Sequence, residues 1–267
     1  MQNDFIFKDK YSFADLQNIV SILRAPGGCP WDIEQTHESL KKDLIEECYE
    51  VIEAINKENP DMLREELGDV LLQVVFHSDI EREKGVFNIE DVCDEICKKL
   101  IIRHPHVFGD VNVDSTEEVL KNWDEIKMQT KSQKSASESM ASVPRELPAL
   151  MRGQKIQHKA RKVGFDWQDP LDAIKKVHEE ADEVAEAIGD GDAAHTAEEV
   201  GDLLFAAVNV ARLTGVEAEE VMTAATDKFF KRFTICESLA KDRGIDMSAA
   251  GLEELDKLWD EAKQISK

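Results

Sequence analysis

An all-α protein, a tandem duplication of a helical-bundle domain built on an antiparallel helix pair, is what this sequence predicts. Three observations carry that expectation. Leu44, Cys48, Val51, Ile52 and Ile55 step at i, i+4, i+7, i+8 and i+11, one helical stripe expected to be buried. "EECYEVIEAI" at 46–55 returns as "EEADEVAEAI" at 179–188, seven identities in ten at an offset of 133. The β-branched alternation of sheets is not sustained anywhere, and aromatics are only 6% of the chain.

The repeat orders the elements. "EELGDVLLQVVF" at 65–76 answers "EEVGDLLFAAVN" at 198–209, "KKLIIR" at 98–103 answers "DKFFKR" at 227–232, and "NWDEIK" at 122–127 answers "LWDEAK" at 258–263. "CPWD" at 29–32 has a looser echo in "FDWQD" at 165–169. In the first copy "NKENPDM" interrupts the stripe, and Pro60 opens a helix expected over 61–84 and stopped near Gly85. In the second, Asp169-Pro170 opens a helix, "GDGDAAH" at 189–195 reads as the turn, and the partner helix is expected over 196–213. One or two further helices follow each pair. "KSQKSASESMASVPRELP" at 131–148 is rich in Ser, ends in two prolines and reads as a mobile linker. The domains are therefore placed at 1–130 and 149–267, joined by 131–148.

The 33 Lys and Arg against 56 Asp and Glu give a net charge of −23, a field that repels phosphate backbones and disfavours nucleic acid as a partner. It favours cations, and a polyanionic ligand would need local basic groups or metal ions. Five cysteines form no CxxC pair and suggest reduced thiols in a cytoplasm. The first 25 residues have no apolar secretion core, and no stretch approaches the ~18 apolar residues of a membrane span.

The chemistry sits in acids at helical spacing. Glu180 and Glu183 share one helix face, Glu199 and Asp202 another, and an antiparallel pair brings the faces together. Four converging carboxylates repel one another unless hard cations such as Mg²⁺ or Mn²⁺ take the oxygens as ligands. Glu47, Glu50, Glu66 and Asp69 repeat the set. Glutamates on helices are more often a solvated face, and a duplicated solvated face would also repeat. Gly68 and Gly201, unfavourable inside helices by ~1 kcal/mol relative to Ala, admit a close neighbour. Lys228 and Arg232 lie one turn apart and suit phosphate oxygens, and Trp259 is either a base-stacking ring or a core aromatic. Together these suggest a nucleotide polyphosphate.

"EECYE", "EELGD", "RHPHVFGD" at 103–110, "GGCPWD" at 27–32 and the duplication resemble the MazG family of nucleoside triphosphate pyrophosphohydrolases over nearly the whole chain. The resemblance implies an all-α homodimer that binds NTPs, ATP among them, depends on Mg²⁺, and cleaves NTPs and dNTPs to monophosphate and pyrophosphate. It implies metal ligands at Glu180, Glu183, Glu199 and Asp202, with Glu179, Glu180 and Glu199 as the catalytic set. Lys228, Arg232 and Trp259 become the nucleotide contacts. The C-terminal copy is the first expectation for activity. Glu46, Glu47, Glu50, Glu66, Asp69, Lys99, Arg103 and Trp123 form a possible second site in the N-terminal copy. The rivals are a regulatory module that binds nucleotide without turnover, and a pyrophosphatase specialised for dUTP or dCTP. A carboxylate-bridged di-iron enzyme needs paired E-x-x-H motifs, and only Glu34–His37 has that spacing.

Overall fold

The structure is a computed structural model, and it describes residues 5–113, 115–116, 118–119, 122–123, 126 and 135–266. Helix is the only regular element among them. In chain order the helices are α1 Phe13–Arg24, α2 Pro30–Glu34, α3 Lys41–Asn56, α4 Pro60–Glu83, α5 Ile89–Arg103, α6 Pro105–Phe108, α7 Ala136–Ala141, α8 Ala149–Arg161, α9 Pro170–Asp190, α10 Ala193–Leu213, α11 Ala218–Asp242 and α12 Leu252–Ile265. The chain divides into two compact units, Met1–Thr130 and Lys131–Lys267.

In the first unit α3 packs on α4, and α1 lies across α4. Val20, Leu40, Val75, Phe76 and Ile80 form its core. Asn59 caps α4 by accepting from the Asp61 and Met62 amides at 3.2 Å, and Pro60 follows at the first position, where no amide is needed. The stripe expected to be buried on α3 is instead largely open. Leu44 and Val51 are half-buried, whereas Cys48, Ile52 and Ile55 are exposed, and Ala54 alone of α3 is fully buried. The reason is the narrow seam of a helix pair: it covers the flank around Ala54, and none of the described residues of the unit covers the other.

In the second unit α9 and α10 form the corresponding pair, α8 lies on α10, and α11 pairs with α12 around Cys236, Ala240, Leu258 and Ala262. The turn between α9 and α10 is shorter than the stretch 189–195 suggests. Helix continues through Asp190, Gly191 takes φ 72° at the C-terminal cap, and Asp192 already accepts from the Ala194 and His195 amides at 3.0 and 3.1 Å. Residues 135–148 also depart from the linker reading. Ser135 caps α7, Lys159 Nζ on α8 donates to Ser139 Oγ at 2.7 Å, and Val143 is buried. Serine there supplies caps and a helix tie rather than solvated flexibility; 131–134 lie outside the described residues.

Candidate functional site

Lys176, Glu180 and Glu183 stand on one face of α9, and His195, Glu199 and Asp202 on α10. Carboxylate oxygens of Glu180, Glu199 and Asp202 lie within 4.8 Å of one another. Glu183 stands beside them, and the neighbouring Glu180 carboxylate, then burial, raise its pKa above the ordinary range. Glu180 is 5% exposed; one oxygen meets Lys176 Nζ at 2.6 Å, while Oε2 is buried with no partner. A buried, unpaired carboxylate oxygen facing other carboxylates fits a hard divalent cation, whose preferred ligands are oxygens.

Lys176 and His195 sit among these acids. Lys176 bonds Glu179 at 2.7 Å as well as Glu180, and the two bonds raise its pKa. His195 Nε2 lies 3.0 Å from Glu199 Oε1. Sequence reasoning passed over both, although K-x-x-x-E and H-x-x-x-E at one-turn spacing were there to be read. Glu179 itself is exposed, turned from the cluster and held by Lys176.

Beside the acids opens a cavity of about 310 Å³. Ile156, Ala160, Phe165, Trp167, Phe205 and Met140 make it mostly apolar, Gln157, Asn209, Asp166 and Arg212 add polar groups, and Lys176, Glu180 and Asp202 form one edge. Arg212 Nη1 donates to Asp166 at 3.1 Å and Nη2 closes a second bond to the same carboxylate. Burial pushes the Asp166 pKa up, but these bonds prevail and hold it below the ordinary range. Gln157 Nε2 donates to the Phe205 carbonyl at 2.8 Å, leaving Oε1 buried without a partner. Of these residues the sequence singled out Glu180, Asp202 and the "FDWQD" stretch; the packing of separate helices brings the others beside them.

Lys228, Arg232 and Trp259 lie on the α11–α12 pair. Lys228 is exposed, Arg232 Nε donates to Ser266 Oγ at 3.2 Å, and Trp259 is half-buried with its ring 5.1 Å from that of Phe229. Among the described residues no hydrogen bond or ion pair joins them to the carboxylates.

In the first unit Glu47, Glu66 and Asp69 bring oxygens within 4.8 Å. Burial, and then neighbouring acids including Glu50 and Asp69, raise the pKa of Glu47 and Glu66. Glu46 is exposed, like Glu179. Lys99 is exposed, and Arg103 stands over the Trp123 ring at 5.9 Å. The "NWDEIK" motif around that tryptophan falls partly outside the described residues. The residues paired with the acids differ between copies: Asp43 and Met62 occupy the places of Lys176 and His195, 133 residues earlier.

A family model for the MazG nucleotide pyrophosphohydrolase domain matches residues 35–108 and 168–236, covering the two helix pairs that carry the acids. The chain belongs to the MazG family. Within it, a Thermotoga maritima protein named nucleoside triphosphate pyrophosphohydrolase/pyrophosphatase MazG is 48% identical over 94% of this chain and 95% of its own length. An Escherichia coli K12 nucleoside triphosphate pyrophosphohydrolase is 44% identical over 93% of this chain and 96% of its own. The uncharacterized protein YabN of Bacillus subtilis is 48% identical over 95% of this chain, which spans 52% of YabN. The two matched segments of this MazG chain begin at 35 and 168, the same offset that relates its two acidic clusters.

Proposed function

We propose that the second unit hydrolyses nucleoside triphosphates, ATP and the dNTPs included, to the monophosphate and pyrophosphate with Mg²⁺, for which Mn²⁺ can substitute. The unpaired buried Oε2 of Glu180, set among carboxylates at the edge of an apolar cavity, carries this reading. The relatives named as nucleoside triphosphate pyrophosphohydrolases support it across nearly the full chain.

Glu180, Glu183, Glu199 and Asp202 hold the metal in this reading. The ion supplies charge neutralisation for the triphosphate and acidifies a bound water. The chain does the rest. Lys176 Nζ, 2.6 Å from Glu180, would be free to meet a phosphate oxygen if Glu180 served as a metal ligand. Glu180 and Glu199 are the clustered carboxylates placed to accept the water's proton, Glu179 acts through its bond to Lys176, and the cavity seats the base while excluding solvent. Trp259 serves this less well, because its ring packs on Phe229 and the Leu258 core. Lys228 and Arg232 enter as contacts for the pyrophosphate end.

Association into a homodimer belongs to the same reading. Ile45, Ile52 and Ile55 on α3 and Leu67 and Leu71 on α4 are exposed, as are Ile188, Val200 and Leu204 on α9 and α10. Such faces are covered in solution, and a second copy offers the matching surface.

The deciding assay is pyrophosphate release from a panel of NTPs and dNTPs with Mg²⁺. Glu180→Ala and Glu199→Ala are expected to lose about 100-fold or more, since each removes several kcal/mol of transition-state stabilisation. Glu47→Ala and Glu66→Ala are expected to lose less, because Asp43 and Met62 leave that copy without counterparts of Lys176 and His195. The reverse ranking moves the active site to the first unit. A parent that releases nothing leaves the binding module, and a single accepted nucleotide the specialised enzyme.

A further inference from the structure

The segment between the copies does more than connect them. Within the second unit α7 is fastened to α8 through Lys159 and Ser139, and the chain beyond it is anchored by Val143, 5% exposed. Met140, on the last turn of α7, thereby lines the cavity whose other edge carries Glu180 and Asp202. A side chain from an inter-copy segment thus bounds the same space as two carboxylates of the candidate site.

The cavity is built for a ligand with both apolar and polar surface. The Phe205 carbonyl can only accept, so the bond from Gln157 fixes the amide orientation and leaves Oε1 as a buried acceptor without a donor. A mostly apolar space edged by Gln157, Asn209, Asp166 and Arg212 suits a flat heterocycle with polar groups on its rim. Met140 contributes an unbranched, polarizable thioether, the side chain best able to follow the outline of a ring.

We propose that Met140 is a specificity-determining residue of the second unit, setting the size of base its cavity accepts. The inter-copy segment is then a wall of the site. This inference rests on the nucleotide reading above and names the residue that limits its substrate range.

The test uses the full chain and its Met140→Ala and Met140→Phe variants. kcat/KM is measured for a purine and a pyrimidine dNTP with Mg²⁺, and affinities for dAMP and dCMP are measured by calorimetry. Met140→Phe narrows the cavity and is expected to lower the purine-to-pyrimidine ratio by about 10-fold, mainly through KM, the scale on which a small change of side-chain volume discriminates. Met140→Ala is expected to raise the ratio. A loss of folded protein lowers both substrates alike and leaves the ratio untouched, so a ratio unchanged within about twofold in both variants overturns the proposal. If the parent hydrolyses nothing, the function proposal fails, while the monophosphate affinities still decide this one: an unchanged dAMP-to-dCMP ratio sinks it and a shifted ratio sustains it.

Discussion

His77 shows what a single residue contributes to the first unit. Its Nδ1 lies 2.7 Å from His37 Nδ1, and His37 Nε2 meets Glu81 Oε1 at 2.6 Å. Burial, and then the neighbouring His37, hold the His77 imidazole below the ordinary histidine range. The folded state therefore keeps His77 neutral at pH values where the unfolded chain has bound a proton. Its contribution is fully present above about pH 6.5 and is lost as pH falls from there through the depressed folded value. Urea unfolding at about pH 7.5 and about pH 5.5 should show a smaller drop in unfolding free energy for His77→Gln than for the parent. Equal drops would show that this imidazole does not carry the dependence. Other residues reveal a reversal that the repeat hides. Asp79 and Arg212 occupy equivalent places 133 apart and are both buried, yet carry opposite charges. Asp79 accepts from Ser21 and Arg82 and lies 3.8 Å from Arg24, while Arg212 binds Asp166. Each unit thus neutralises its own buried charge.

At the scale of the element, the glycines of α4 and α10 separate local folding from function. A Cβ built on Gly68 or Gly201 meets nothing within 4 Å outside its own helix. The close approach that a helical glycine admits is therefore not used among the described residues. Gly201→Ala is expected to raise the unfolding free energy by up to about 1 kcal/mol, since Ala outranks Gly in a helix interior by that amount. Thermal unfolding of the metal-free protein checks this. A destabilised variant would show that a group from a second copy reaches the backbone there. Helix boundaries follow capping chemistry at the same scale: Asn59-Pro60 and Asp169-Pro170 start helices, and Gly191-Asp192 stops one and starts the next.

At the scale of the whole molecule, exposed apolar faces and concentrated acid set the behaviour. No helix among the described residues is long and apolar enough to cross a membrane. Light scattering coupled to size exclusion is expected to give a mass about twice the 30.1 kDa chain. Ile52→Asp with Leu71→Asp, placed on the exposed flank of the α3–α4 pair, is expected to shift that mass toward the monomer. A monomeric parent, or a variant as large as the parent, removes the homodimer from the functional reading.

Much of this protein was determined by sequence alone. Helical period, the offset of 133 and the Pro and Gly punctuation set the class, the duplication and the paired acids, because each depends on residues a few positions apart. The E-x-x-E and E-x-x-D spacings put the acids on two faces, and the tertiary structure brought those faces together. Burial was harder to read: the apolar stripe on α3 points partly to solvent because one helix partner covers only one flank. Tertiary structure alone decided the cavity. Met140, Gln157, Trp167 and the α10 pair Phe205 and Arg212 come from four separate places along the chain, and only the packing of α7, α8 and α10 makes them neighbours. It also decided that Trp259 belongs with Phe229 and the Leu258 core, since side-chain type at one position does not say which helix will cover it.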